Sequence, residues 1–189
     1  QKEHFEIQEL MELVKEGKVC IPANKKHTSL NPEGIGSMLR TKINVNLGIS
    51  RDAKDYDLEM QKVQNAVSLG AEAIMDLSSH GNTQPFRKKL TSECPCMVGT
   101  VPVYDSVIHY QRDLETLTAK DFIDVVRLHA EDGVDFVTIH AGLTRKTIDQ
   151  IKNHGRKMNI VSRGGSLIFA WMTMTGNENP FYEHFDEIL

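Results

Sequence analysis

Arg163 stands between a hydroxyl and two glycines in the stretch NIVSRGGS, residues 159–166. Two apolar β-branched residues, Ile160 and Val161, lead into it. That order of residue types suits an anion. Gly164 and Gly165 allow backbone to approach a ligand closely. Ser166 can cap a following helix, whose N-terminus carries free N–H groups and a partial positive charge. The Arg163 guanidinium and the Ser162 hydroxyl complete a site that fits phosphate. The alternative is a tight turn with a solvent-facing arginine. The pattern is neither a Gly-Lys-Ser/Thr phosphate loop nor GxGxxG.

Chemistry-bearing residues close the other apolar runs as well. The first run ends at Asn46, the second at Met75, Asp76 and Ser78, the third at Pro102 and Tyr104, and the fourth at His140. Small residues, Ala141 and Gly142, follow His140 and leave its ring open to move a proton or hydrogen-bond a substrate. Each residue also has a structural reading. Asn46 could cap or turn the chain, and Met75 could be core. Asp76 could cap a turn, Tyr104 could be a rim aromatic, and His140 a buried structural histidine. Five polar ends in register carry more weight than any one of them. No catalytic role is assigned to an individual residue.

Bringing these ends to one place requires strands that run the same way. KINVNLG (42–48) reads as a strand, followed by a helix over 58–70 with Leu58, Val63, Ala66 and Val67 on one face and Gly70 as its stop. AEAIMDLS (71–78) is strand-like, 83–92 a short helix, and CMVGTVPVY (96–104) a buried strand whose pairing Pro102 should end. Thr118 with Asp121 predicts a capping box for a helix that buries Phe122, Val125, Val126 and Ala130 and ends at Gly133. VDFVTIHAG (134–142) is a strand. Thr144 caps a helix carrying Ile148 and Ile151, stopped by Gly155. NIVSRGG is a fifth strand and 166–175 the next helix. Strand–helix alternation with short connections predicts an α/β fold with a parallel sheet. The polar ends would then share the rim of a βα barrel or border the crevice of an open sheet. Residues 1–40 form a separate segment, a helix around 6–16 and then an ordered loop in which Cys20 and Ile21 pack. Residues 41–189 form the βα domain.

The chain has 189 residues, 40% of them hydrophobic and 25% charged, with a net charge of −4. No basic face is advertised, so nucleic acid is not an expected partner. No apolar run approaches the roughly 20 residues of a membrane span, and none is expected. The polar start does not read as a signal peptide, and the lack of an initial Met suggests a processed or partial chain. Three cysteines, Cys20, Cys94 and Cys96, suit no disulfide framework and fit a reducing, cytoplasmic setting. His80, His109 and His154 are placed in loops without metal-ligand spacing.

Seven blocks occur in one order: IPAN (21–24), RTKINVNLG (40–48), IMDLS (74–78), GTVPVY (99–104), DGVDFVTIHAG (132–142), IVSRGGS (160–166) and NPFYEHFDEIL (179–189). From residue 18 onward the chain resembles the phosphomethylpyrimidine synthase family of thiamine biosynthesis, in its shorter bacterial and archaeal forms. The resemblance implies a (β/α)8 TIM barrel, of which this chain supplies about the first five βα units. It implies a radical S-adenosylmethionine carbon–carbon lyase. The family converts 5-aminoimidazole ribotide to 4-amino-5-hydroxymethyl-2-methylpyrimidine phosphate, releasing formate and carbon monoxide. Carried over by motif, the substrate-contacting positions are Asn46, Met75, Tyr104, His140, Ser162, Arg163 and Gly164.

The implied cofactors are a 4Fe–4S cluster, S-adenosylmethionine and a divalent metal such as zinc, and the full-length form is expected to be a homodimer. The family's Asp-Gly-Leu-Arg and Glu-Gly-Pro-Gly-His segments, its second metal histidine and its CxxCxxxxC motif do not occur in this sequence. Three thiolates of that last motif bind three irons and leave one for S-adenosylmethionine. A barrel takes about 250 residues. The chain is therefore expected to be the N-terminal portion of the enzyme, inactive by itself, with an unpaired strand edge and a helix continuing through YEHFDEIL. Two other readings stay open. One is 5-hydroxybenzimidazole synthase of anaerobic cobamide synthesis, which resembles the same motifs. The other is a non-catalytic ribotide-binding or assembly module.

Overall fold

The computed structural model describes residues 3, 6–155 and 157–189. Helix α1 (Ile7–Lys15) leads through Gly17 into strand β1 (Val19–Cys20), which pairs antiparallel with β2 (Ile35–Gly36). The loop between them is ordered, as predicted, but not by apolar packing: Cys20 and Ile21 are exposed and Val19 is the buried residue. Polar bonds fasten the loop instead. The Asn24 side chain donates to the carbonyls of Ala130 at 2.7 Å and Val134 at 2.9 Å. His27 is buried, with Nδ1 2.6 Å from Asp135 Oδ2 and Nε2 2.7 Å from the Cys94 carbonyl.

The main body alternates strand and helix: β3 (Asn44–Leu47), α2 (Tyr56–Ser68), β4 (Ala73–Asp76), α3 (Gln84–Glu93), β5 (Met97–Thr100), α4 (Pro102–Tyr110), a 3₁₀ turn (Leu114–Thr116), α5 (Ala119–Glu131), β6 (Phe136–Val137), α6 (Arg145–His154), α7 (Arg163–Thr175), α8 (Pro180–Glu183) and α9 (Phe185–Ile188). The α/β class predicted from the sequence is what forms. Strands β3, β4, β5 and β6 make one parallel sheet in chain order, without the reversal that marks a doubly wound sheet. Side chains alternate between the two faces of each strand. Leu47, Ile74 and Val98 pack with Met60, Val63, Ala66, Phe86 and Leu90 from α2 and α3. A second core gathers Met75, Val101, Val103, Phe122, Ile168, Trp171 and Phe181. In it Phe122 and Trp171 meet edge to face at 5.3 Å, and Trp171 Nε1 donates to the Leu117 carbonyl at 2.9 Å. No helix among the described residues is long and apolar enough to cross a membrane.

Two of the predicted caps hold in detail. Thr118 and Asp121 form the predicted box, and Thr144 accepts from Thr147 N. Other expectations are corrected. The fifth strand does not form: residues 159–162 pair with no strand, Val161 is 80% exposed, and Arg163 is already helical. A strand exists by its ladder, and this segment has no ladder partner among the described residues, whereas Ser162 Oγ accepts from Gly165 N and starts the helix early. Pro102 ends strand pairing as expected, but it does so by opening α4, so Tyr104 sits on a helix. Leu58 is exposed and Glu59 is buried in its place, because Glu59 Oε2 accepts from Gly48 N at 2.8 Å. Ala130 gives way to His129, whose ring has bonds waiting inside. His109 and His154 belong to helices rather than loops, and the helix predicted through YEHFDEIL breaks at His184.

Candidate functional site

The ladder register sets the first half of the site. Asn46 pairs with Met75, Met75 with Gly99, and Gly99 with Phe136, so the four form one row across the sheet. Alternation turns this row away from the α2 and α3 layer. Gly99 is required there, since a Cβ would lie 2.3 Å from the Phe136 ring. Asn46 is exposed and accepts from Asn44 Nδ2 at 3.1 Å. Met75 is buried in the cluster that Tyr104 and Ile139 border.

The second half comes from the loops and helices beyond the strands. Ser162 caps α7, which leaves the first N–H groups of that helix, at Arg163 and Gly164, without intrahelical acceptors. The Arg163 guanidinium lies 5.5 Å over the Tyr104 ring and donates to Ser79 Oγ. Among the described residues it has no carboxylate partner, so its charge is open to an anion. Gly164 packs directly on His140: a Cβ at Gly164 would sit 2.3 Å from the imidazole Cε1. Burial holds His140 below the usual imidazole range, so the ring is neutral near pH 7. Its Nδ1 is buried without a hydrogen-bond partner among the described residues, while its backbone carbonyl accepts from Asn179 Nδ2 at 2.7 Å.

Tyr104, His140, Arg163 and Gly164 are thus in contact pairs, with Ser162 at the same helix end. Asn46 and Met75 lie side by side in the sheet, and Met75 joins them to the rest through the shared core. Asp76 turns to the other face, in the row of Leu47 and Thr100. Burial pushes its carboxyl up to about 6 against the Ser78 hydrogen bonds. Ser166 does not cap α7; its hydroxyl donates to the Ile160 carbonyl at 2.9 Å.

Sequence reasoning missed Ser79 and a buried network behind the site. Asp105 accepts from Thr83 Oγ1 at 2.7 and 2.6 Å and from Arg87 Nη1 at 2.8 Å, and it pairs with His129 Nε2 at 3.0 Å. Arg87 also donates to Asp132, and His129 Nδ1 is 2.8 Å from Thr100 Oγ1. Burial alone would raise Asp105; the His129, Thr83 and Arg87 partners outweigh it and hold the carboxyl below its usual range. One signal was available: Phe86, Arg87, Leu90 and Thr91 share the buried face of α3, a helix face that encloses an arginine. A cavity of about 300 Å³ beside Arg87 and Asp105 shares none of the predicted site residues.

Metal and cluster ligands were not expected in this part of the chain. Among the described residues no group of three His, Cys, Asp or Glu side chains is placed to hold a metal ion. Cys94 and Cys96 are buried, Cys96 with its thiol on the Ala71 carbonyl, and Cys20 lies apart and exposed. These residues do not fit a cluster.

The sequence model of the Radical SAM ThiC family matches residues 1–189. The chain is 56% identical over 188 residues to the phosphomethylpyrimidine synthase of Clostridium botulinum strain 657, and equally to that of strain Loch Maree. It is 58% identical over 188 residues to the phosphomethylpyrimidine synthase of Alkaliphilus oremlandii. Each alignment covers 100% of this chain and 43% of the relative, so the chain spans under half the length of these curated proteins. A match across the whole chain at this identity places it plainly: it belongs to the radical SAM ThiC family.

Proposed function

We propose that this chain is the N-terminal portion of a cytoplasmic phosphomethylpyrimidine synthase. That enzyme is a radical S-adenosylmethionine lyase that turns 5-aminoimidazole ribotide into the thiamine pyrimidine phosphate. The names of the curated relatives support the reading, and neither the cobamide alternative nor the non-catalytic module has an observation of its own. Residues 41–189 are an arc of a TIM barrel, and residues 1–40 a segment strapped to it. The sequential strand order of β3 to β6 favours a barrel arc over an open doubly wound sheet. The 4Fe–4S cluster, S-adenosylmethionine and zinc bind residues outside this stretch, so no radical step is assigned to its side chains.

These side chains hold the substrate. Arg163 and the N-terminus of α7 take the phosphate, where guanidinium and helix dipole act together. Asn46 hydrogen-bonds the polar edge of the ribotide, and Met75 packs on its flat ring. Tyr104 offers a ring face and a hydroxyl. His140, neutral, donates or accepts one hydrogen bond without adding charge. The observation that carries the reading is the Arg163 guanidinium, paired with no carboxylate among the described residues, held over Tyr104 and by Ser79 at the head of α7. In the complete enzyme, Arg163→Ala should raise the ribotide KM at least about tenfold, the scale of a lost charge-assisted hydrogen bond. His140→Ala should lower turnover. Steady-state assays with identification of the pyrimidine product check both, and wild-type kinetics in both variants would remove the site.

A further inference from the structure

We propose that Asp105 is a positioning residue for Arg163, acting through the two groups that hold the guanidinium. The inference rests on the ribotide-site reading above and deepens it. Arg163 is an exposed, long side chain, and fixing such a chain costs rotamer freedom. Two supports reduce that cost at binding: the Tyr104 ring and the Ser79 hydroxyl.

Both supports are joined to Asp105 along the chain, and Ser79 N also donates to the Ile49 carbonyl at 3.0 Å. Tyr104 is its neighbour in the first turn of α4. Ser79 lies in the loop between β4 and α3, and that loop ends at Thr83, whose hydroxyl donates to Asp105. The other partners of Asp105 are themselves held. Arg87 is clamped by Asp132, and His129 by Thr100. A carboxylate only accepts, so His129 carries its proton on Nε2 toward Asp105, and Nδ1 accepts from the Thr100 hydroxyl. Asp105 is 6% exposed and its carboxylate is taken up by Thr83, Arg87 and His129, so it acts on Arg163 only through what it holds. A buried ion pair is weak support for stability; here the network ties α3, α4 and α5 to the end of β5.

The test is a set of double-mutant cycles on the complete enzyme, reading ribotide KM and kcat separately, with thermal unfolding of each variant. Asp105→Asn and Ser79→Ala should each raise KM about tenfold and leave kcat within about twofold. Ser79→Thr, which keeps the hydroxyl, should retain the wild-type KM. In an Arg163→Ala background neither change should raise KM further. Effects that multiply with Arg163→Ala would overturn the role of Asp105, as would a fall in kcat at unchanged KM. Should Asp105→Asn not fold, Thr83→Val cuts the link to the Ser79 loop while leaving the carboxylate, and the same cycle decides. Arg163→Ala with an unchanged KM would instead sink the ribotide-site reading itself, and Asp105's role with it.

Discussion

Gly164 is defined by its neighbour. Its backbone conformation is ordinary for a helix, so glycine is not there for a positive φ. It is there because the His140 ring fills the space where a Cβ would go, 2.3 Å away. Alanine at this position should raise the intrinsic helix propensity of α7 by about 1 kcal/mol and at the same time push the imidazole aside. We therefore expect Gly164→Ala to keep the thermal midpoint within a few degrees and to weaken ribotide binding about tenfold. Calorimetric titration of the complete enzyme checks this, and tight binding would show that the ring does not meet the ligand. The SRGG motif reads in the sequence as a candidate anion site. The His140 contact was not, because it joins residues 24 positions apart (164 minus 140) that only packing brings together.

Elements show a similar division. The side-chain caps, one of them a capping box, and the glycine stops follow local rules, so α2, α5 and α6 begin and end close to where spacing predicted. The loop over 21–34 follows no local rule. Asn24 and His27 fasten it to α5, Asp135 and Cys94 over sequence separations of more than 60 residues. Burial by itself would lower the His27 pKa, but the bonds to Asp135 and the Cys94 carbonyl outweigh it and raise it above the ordinary 6.5. A raised folded-state value favours the protonated ring. Its contribution is fully present below pH 6.5 and is lost as pH rises through the folded value above it. Urea midpoints should therefore fall as pH rises above about 6.5, and His27→Gln should flatten that part of the slope. An unchanged slope in the variant would assign the effect to other groups.

At the scale of the molecule the sheet has two open edges, β3 and β6, among the described residues. Unpaired N–H and C=O groups along a parallel edge invite pairing with another chain. Ile43, Met158 and Val161, at 58%, 66% and 80% exposed, add exposed apolar surface. The 189-residue chain expressed by itself should therefore associate, seen as a mass above 21.3 kDa by light scattering. A clean monomer would show that these edges are protected in solution.

The amino-acid sequence by itself determined the α/β class, the limits of α2, α5 and α6 to within a few residues, and the family. These rest on hydrophobic period, capping and turn chemistry, which act over a few residues. Tertiary structure alone decided that residues 159–162 make no strand, that Ser162 rather than Ser166 caps α7, and that Asp105, Arg87 and His129 form one buried network. The reason is physical: a ladder needs a partner strand, and a buried charge needs a counter-charge, and both partners come from distant parts of the chain.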